Sequence, residues 1–350
     1  MMKFLIVAAK TGGHVFPAFS VSEELLKFNH EIIILGTGSE IENKAFKDLN
    51  SKSYKLLIQG FRGNNFFTKI KVLFQVFINV FRVIKIIKVE KIDAMIGFGG
   101  FITVPAGFAC WLRNKPIFLH EQNSVLGSAN KILSKISKIN FLGMPIKNIN
   151  NSIISGNPIR DAFLNSEEEH LNNKNINIYI TGGSQGADYI NENVPKALKS
   201  FSNINIKHQC GKNKSDKVKT IYLNNNMDAE VLDFYSNPQE QILWSDFVIS
   251  RAGALSLAEF ISMKRGVLMI PLPTAIDNHQ LKNAESIFAE GMGIIHQQKD
   301  SIDSLVLKLK EIINNKDFEN WKQINSNRHS KAKKIILDNI HKYFNQNEKI

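Results

Sequence analysis

FLIVAAKTGGHVFPAFSVSEELL, residues 4–26, is an apolar run of strand length that passes through a glycine pair into an amphipathic stretch. NIYITGGSQGADYINENVPKAL, residues 177–198, repeats that plan. Continuous Ile, Val and Leu runs mark strands buried on both faces of a parallel sheet. Glycines after such a strand accept positive φ and let backbone N–H groups approach an anion, and the following helix start adds partial positive charge. Two openings of this kind, one per half, predict two Rossmann-like, doubly wound α/β domains. Neither is GxGxxG with a downstream ribose-binding acid, and neither is GxxxxGK[ST]. A nicotinamide dehydrogenase and a P-loop NTPase are both disfavoured.

The alternation continues outward from these two stretches. HEIIILG, IDAMIGFG and KPIFLHE read as strands in the first half, with SVSEELLKF and VPAGFACWLR as helices. IKHQCG, AEVLDF, DFVIS and RGVLMIP read as strands in the second. Gly156, Asn157 and Pro158 punctuate the chain near SGNPIRDAF, and a polar, Asn-rich stretch follows from Asn165 to Asn175. The expected domains are 1–158 and 159–334, with a last amphipathic helix at 335–350.

The 350 residues suffice for two cores, and 43% hydrophobic content describes a globular chain. Lys and Arg number 44 against 32 acids, a formal charge of +12 that favours an anionic partner. The two cysteines, Cys110 and Cys210, have no CxxC and no histidine cluster, which suits a reducing compartment and gives no zinc signature. MMKFLIVAAK resembles a short signal sequence, but TGGH follows at once, so a buried first strand in a largely cytosolic protein is expected.

Polar residues gather where strands run into helices. His14 closes the first glycine turn, at the carboxyl end of a parallel strand where ligands of such sheets bind, and a histidine there can take a proton near neutral pH. HEQN, residues 120–123, follows another strand and either holds ligand hydroxyls or satisfies its own loop. SRAGALSLAEF places Glu259 one turn into a helix that starts near Ala254, where a carboxylate can accept from a ribose diol or simply complement the helix dipole. PLPTAIDNHQ makes one more such junction. These loops are expected to converge on a cleft that the two domains face.

TGGHVFP, GFGGF, LHEQN, GNPIR, TGGSQGA, SRAGALSLAE and DNHQ follow one another in an order and spacing that resembles the bacterial MurG-type glycosyltransferases, from the first strand to about Gly291. The resemblance implies a GT-B fold and transfer of N-acetylglucosamine, with inversion, from UDP-GlcNAc to the 4-hydroxyl of undecaprenyl-diphospho-N-acetylmuramoyl-pentapeptide. It implies work at the cytoplasmic face of the plasma membrane in peptidoglycan synthesis, a setting that allows contact with other cell-wall synthesis proteins. No cofactor and no metal are expected, and no nucleic acid. The donor site carried over is Thr11, Gly12, Gly13, Asn123, Arg160, Ser184, Tyr235, Ala254, Leu255, Ser256, Leu257, Ala258, Glu259 and Gln280. In it Ser184 and its glycines hold the diphosphate, Glu259 the ribose, and Asn123 with Gln280 the sugar hydroxyls. His14 is the expected catalytic base, with Glu121 in reserve. Lys10 stands where the family usually has Gly, and Phe101 where it commonly has Tyr.

NFFTKIKVLFQVFINVFRVIKIIK, residues 65–88, has a charge-free run only from Val72 to Phe81, far short of the roughly 20 residues a membrane span needs. A helical wheel gathers Lys71, Gln75, Asn79, Arg82 and Lys85 on one side and leaves a wide apolar face. Part of that face is expected in the core. Phe66, Phe67, Phe74, Phe77 and Phe81 are expected to meet an anionic membrane surface, helped by the rimming lysines. The competing readings are another GT-B transferase with a different lipid acceptor, a UDP-GlcNAc 2-epimerase of the same architecture, and a basic nucleic-acid-binding protein. For the last, no RNP-like or helix-turn-helix pattern stands out.

Overall fold

The computed structural model describes residues 1–9, 11–58, 66–164 and 175–347, with the side chains of 66–70 and 347 outside the description. The chain divides into two compact units, Met1–Arg160 with Arg328–Ile350, and Asp161–Asn327. Unit 1 runs β1 (Lys3–Val7), α1 (Gly12–Lys27), β2 (Glu31–Gly36), α2 (Glu40–Ala45), β3 (Ser53–Lys55), α3 (Phe66–Glu90), β4 (Ala94–Gly97), α4 (Thr103–Leu112), β5 (Ile117–Glu121), α5 (Ser128–Leu133), β6 (Ile139–Leu142) and β7 (Ser152–Ile154). Unit 2 runs β8 (Ile176–Thr181), α6 (Asp188–Leu198), β9 (Ile204–Gln209), α7 (Ser215–Asn224), β10 (Glu230–Leu232), α8 (Pro238–Trp244) and β11 (Phe247–Ser250). It continues with α9 (Ala254–Ser262), β12 (Val267–Met269), α10 (His279–Ala289), β13 (Gly293–Ile295), α11 (Ile302–Asn314) and α12 (Asp317–Gln323). The final helix, α13 (Ala332–Asn347), belongs to unit 1.

Among the described residues every strand pair is parallel. The sheet orders are β3-β2-β1-β4-β5-β6-β7 and β10-β9-β8-β11-β12-β13. In both, the order reverses beside the first strand, between β1 and β4 and between β8 and β11. Loops at the carboxyl ends of those strands diverge there and leave room for a ligand. This is the two-domain, doubly wound architecture the glycine turns predict.

β1 is buried from Phe4 to Val7, and its alternate side chains feed different layers. Leu5 and Val7 pack with Val80, Val83 and Ile87 of α3, whereas Phe4 and Ile6 pack with Ala18 and Leu25 of α1 and with Ile336, Leu337 and Ile340 of α13. Each such aliphatic side chain contributes about 1.5–3 kcal/mol when fully buried. These two layers fix the β1–α1 turn from both sides.

α3 corrects one expectation. Asn79 does not share a solvent face with Lys71 and Lys85. It is 2% exposed, and its Nδ2 donates to the Leu57 carbonyl at 3.3 Å. Lys10 and the stretch 165–174 lie outside the described residues, as do the side chains of Phe66 and Phe67. Phe101 packs on the β1–α3–α4 core.

Candidate active site

In unit 1 the β1–α1 turn aims one imidazole. Thr11 caps α1 through its backbone only, and no acid occupies the first turn, so the helix start keeps its positive end exposed. His14 Nδ1 lies 3.2 Å from the Ala9 carbonyl oxygen and 3.2 Å from Thr11 Oγ1. A carbonyl can only accept, so Nδ1 carries the proton and Nε2 keeps its lone pair. Desolvation lowers the His14 pKa below 6.5, against the opposing pull of the Glu121 carboxylate and the Ala9 carbonyl. The ring is therefore neutral near pH 7, with a basic nitrogen already oriented.

Gly99 makes room for that nitrogen. Its φ is +99°, and a Cβ there would stand 2.9 Å from His14 Nε2. The GFGGF segment after β4 thus forms one wall of the base's position.

HEQN turns mostly inward. His120 Nε2 donates to the Gly156 carbonyl at 3.0 Å, and its Nδ1 accepts from Gln122 Nε2 at 3.1 Å. Burial drops its pKa to about 4. Gln122 also donates to the Phe98 carbonyl at 3.0 Å and accepts through its own carbonyl from Asn157 Nδ2 at 3.1 Å. Glu121 takes two N–H donors on each oxygen: Asn123 N and Nδ2 at 3.1 Å, Gly127 N at 2.8 Å and Asn130 Nδ2 at 2.9 Å. A carboxylate so occupied organises the loop and fixes Asn123, whose half-buried side chain stays nearest the surface. Arg160 lies over the Phe16 ring, 4.9 Å from its centroid, and so beside the start of α1.

Unit 2 builds its own mouth around the β8–α6 turn. Ser184 is exposed at the tip of a turn closed by Gly186 N–H on the Gly183 carbonyl, 3.0 Å. Gly186 has φ +68°, and a Cβ on it would meet the Cys210 carbonyl oxygen at 1.9 Å, so no other residue fits. Thr181 Oγ1 accepts from Gly183 N at 3.0 Å and from Gln209 Nε2 at 3.2 Å, bracing the turn from the next strand.

After β11, the strand next to β8, α9 begins at Gly253 with no side-chain cap. Its first intrahelical bond runs from Leu257 N to the Gly253 carbonyl, so the N–H groups of Leu255 and Ser256 point out of the helix start. Ala254, Leu257 and Ala258 are buried, Leu255 and Ser256 half-buried, and Glu259 is 9% exposed one turn in. Gln280 Oε1 accepts from Leu272 N at 2.9 Å, which leaves its NH2 as the donor it presents. Tyr235 does not present its hydroxyl at this mouth. Its ring packs edge-on against Tyr179, and its hydroxyl donates to the Glu230 carbonyl at 3.4 Å. Among the described residues no group of three or more His, Cys, Asp and Glu side chains has a metal-binding arrangement.

A second feature of unit 1 is apolar and exposed. Phe74, Phe77 and Phe81 of α3 are 63%, 60% and 56% exposed, and Trp111 and Leu112 of α4 add 53% and 55%. A slot of about 320 Å³ runs between these helices. Lys71, Arg82, Lys85 and Lys88 are exposed along α3. Among the described residues no helix is long and apolar enough to cross a membrane.

The N-terminal domain of glycosyltransferase family 28 matches residues 4–141, and the C-terminal domain of that family matches 177–337. A curated relative from Vesicomyosocius okutanii is 37% identical over 342 residues, 97% of each chain. It is named UDP-N-acetylglucosamine--N-acetylmuramyl-(pentapeptide) pyrophosphoryl-undecaprenol N-acetylglucosamine transferase. The chain belongs to the MurG family of glycosyltransferases. An Acinetobacter baumannii relative of the same name is 32% identical over 352 residues, and the crystal structure of Acinetobacter baumannii MurG superposes with a TM-score of 0.83 at 31% identity, covering 98% of this chain and all of that one. The UDP-GlcNAc 2-epimerase from Neisseria meningitidis bound to UDP-GlcNAc shares the fold alone, with a TM-score of 0.71 at 16% identity over 97% of this chain and 100% of that one.

Within this MurG-family chain, sequence reasoning assigned no role to Gly99, Thr181, Gln209, Trp111 or Leu112. Gly99 belongs to GFGGF, and its positive φ is a property the sequence alone does not carry. Arg251, beside SRAG, was also missed. It is partly buried and donates to the Ile270 carbonyl at 3.2 Å, which places it at the β11 end.

Proposed function

We infer that this chain moves N-acetylglucosamine from UDP-GlcNAc to the 4-hydroxyl of undecaprenyl-diphospho-N-acetylmuramoyl-pentapeptide, the step from lipid I to lipid II. The observation that carries the reading is 37% identity over 97% of both chains to a transferase of that name. The local chemistry supports it. Two features of unit 2 suit a diphosphate, the β8–α6 turn and the open start of α9, since both offer neutral N–H donors to the charge that grows on a leaving UDP. Helix-dipole and N–H stabilisation of this kind serves the departing diphosphate without a bound metal.

Glu259 takes the ribose diol and the Gln280 NH2 a sugar hydroxyl in unit 2, and Asn123 is the sugar-hydroxyl donor of unit 1. The Tyr235 hydroxyl, turned to the Glu230 carbonyl, takes no part in this scheme. Unit 1 supplies the base. His14 Nε2 removes the proton of the acceptor hydroxyl as its oxygen attacks C1 from the face opposite UDP, and the α-linked donor gives a β-linked product. The proton rests on the imidazole, and Nδ1–H stays on the Ala9 carbonyl throughout. Glu121 is a positioning residue in this scheme, holding Asn123 and biasing His14 electrostatically.

The apolar face of α3 and α4 docks on the cytoplasmic leaflet that carries the acceptor, with its lysines at the headgroups. Each lysine near an anionic surface contributes about 1 kcal/mol. The test is product structure. A disaccharide with a β1→4 linkage by NMR is expected from UDP-GlcNAc and the muramoyl-pentapeptide acceptor, and an α linkage would remove single displacement by His14.

A further inference from the structure

We propose that a basic groove beside α2 and β3 receives the C-terminal carboxylate of the acceptor's peptide stem, an assignment that rests on the muramoyl-pentapeptide acceptor inferred above. The groove encloses about 480 Å³ in unit 1 and is lined by Asn43, Lys47, Asn50, Lys52, Tyr54 and Lys55, among others. Its charge is unbalanced. Glu42 also faces it, but that carboxylate accepts Thr37 N at 2.8 Å, Thr37 Oγ1 at 2.6 Å and Gly38 N at 2.7 Å, so it closes its own turn. Lys52 is committed to Glu90 at 2.5 Å. Lys47 and Lys55 make no ion pair with another described residue.

Two ammonium groups and two amide side chains in one groove form a site for a carboxylate at the end of a peptide. Asn can both donate to and accept from a peptide group, and Lys pairs with the terminal charge. A diphosphate fits less well, because the glycine turn in the groove's wall, Gly36 to Gly38, already spends the N–H groups of Thr37 and Gly38 on the Glu42 carboxylate.

The location agrees. Ile41 of α2 approaches Gly12, its Cδ1 lying 3.4 Å from where a Cβ on that glycine would be, so the helix that walls the groove also touches the turn carrying His14. An α-helix with its side chains is about 10 Å across. A five-residue stem extended at about 3.3–3.6 Å per residue reaches roughly 17 Å. A sugar presented to His14 can therefore send its peptide across α2 into the groove.

The test compares the unmodified chain with Lys47→Gln/Lys55→Gln. Both receive a short-chain prenyl-diphospho-muramoyl-pentapeptide with neutral side chains, either as the free acid or as the C-terminal carboxamide. With the free acid, the double variant is expected to raise the acceptor KM about fivefold, the size of two solvent-facing ion pairs, with kcat and the UDP-GlcNAc KM unchanged. With the carboxamide, both proteins should give the same KM. A rise under twofold with the free acid would overturn the groove, and so would an equal rise with the carboxamide, which would move the lysines to the diphosphate. No turnover by the unmodified chain with either acceptor would overturn the acceptor reading itself, and the groove with it.

Discussion

Gly99→Ala isolates the geometry on which the base depends. The substitution acts twice. A residue with a side chain at φ +99° is strained, at about 1–3 kcal/mol of stability. Its Cβ would also stand 2.9 Å from His14 Nε2 and 3.0 Å from Cδ2, closer than van der Waals contact allows. The ring must swing, and the 3.2 Å bond from Nδ1 to the Ala9 carbonyl, which sets the tautomer, must stretch or break. A misplacement near 1 Å at a reacting group costs about 100-fold in rate, and removing a general base costs about 100- to 10,000-fold. Steady-state kcat at saturating UDP-GlcNAc should fall about 100-fold in Gly99→Ala and further in His14→Ala, while UDP binding by calorimetry holds. In the His14→Ala background, Gly99→Ala should lower kcat less than threefold, since the group it displaces is gone. A folded Gly99→Ala with near-normal kcat would refute this reasoning, and so would full additivity of the two substitutions.

Other expectations test separate parts of the account. Gly253→Asp places a carboxylate at the start of α9, where φ is −72° and the nearest atom to a new Cβ, Ser256 Oγ, is 3.9 Å away. It should raise stability by about 0.3–1 kcal/mol through capping yet weaken UDP binding at least tenfold, read by melting and calorimetry. Stability should fall with acid. His120, His208 and His329 are buried neutral with pKa values pushed to about 4, 3 and 3, so the unfolded chain binds more protons below 6.5 and the native advantage, present above 6.5, is lost as pH drops toward 4. His120 alone accounts for about 3 kcal/mol at full extent, and urea midpoints at pH 7.5 and 5 check the sign. A midpoint that rises on acidification would reverse it. Phe74→Asp with Phe77→Asp should abolish sedimentation with anionic vesicles and leave the melting temperature within a few degrees, because both side chains are over half exposed.

Strands with continuous apolar runs were legible because burial on both faces writes itself into composition. β3, β6, β7 and β13 were not, since three or four residues such as Ser53–Lys55 or Gly293–Ile295 carry too little pattern and become strands by pairing with a longer neighbour. The site was legible as positions, less so as directions. HEQN reads as four exposed polar residues, yet three of them are satisfied internally by Gly156, Phe98, Asn130 and Gly127, groups up to 36 residues away that no local rule relates. Asn79 shows the same limit on a helix. A wheel counts it polar and therefore outward, and the Leu57 carbonyl 22 residues earlier draws it in. Trp111 and Leu112 were invisible as a surface because their patch is completed by α3, from another part of the chain.

The central claim is that this chain is an acceptor-dependent transferase. UDP release from UDP-GlcNAc should be measured with and without a prenyl-diphospho-muramoyl-pentapeptide, with UDP-glucose and UDP-GalNAc in parallel. The account predicts release only when acceptor is present, fastest with UDP-GlcNAc, and one disaccharide formed per UDP. Release that ignores the acceptor would contradict it, as would conversion of UDP-GlcNAc to its 2-epimer.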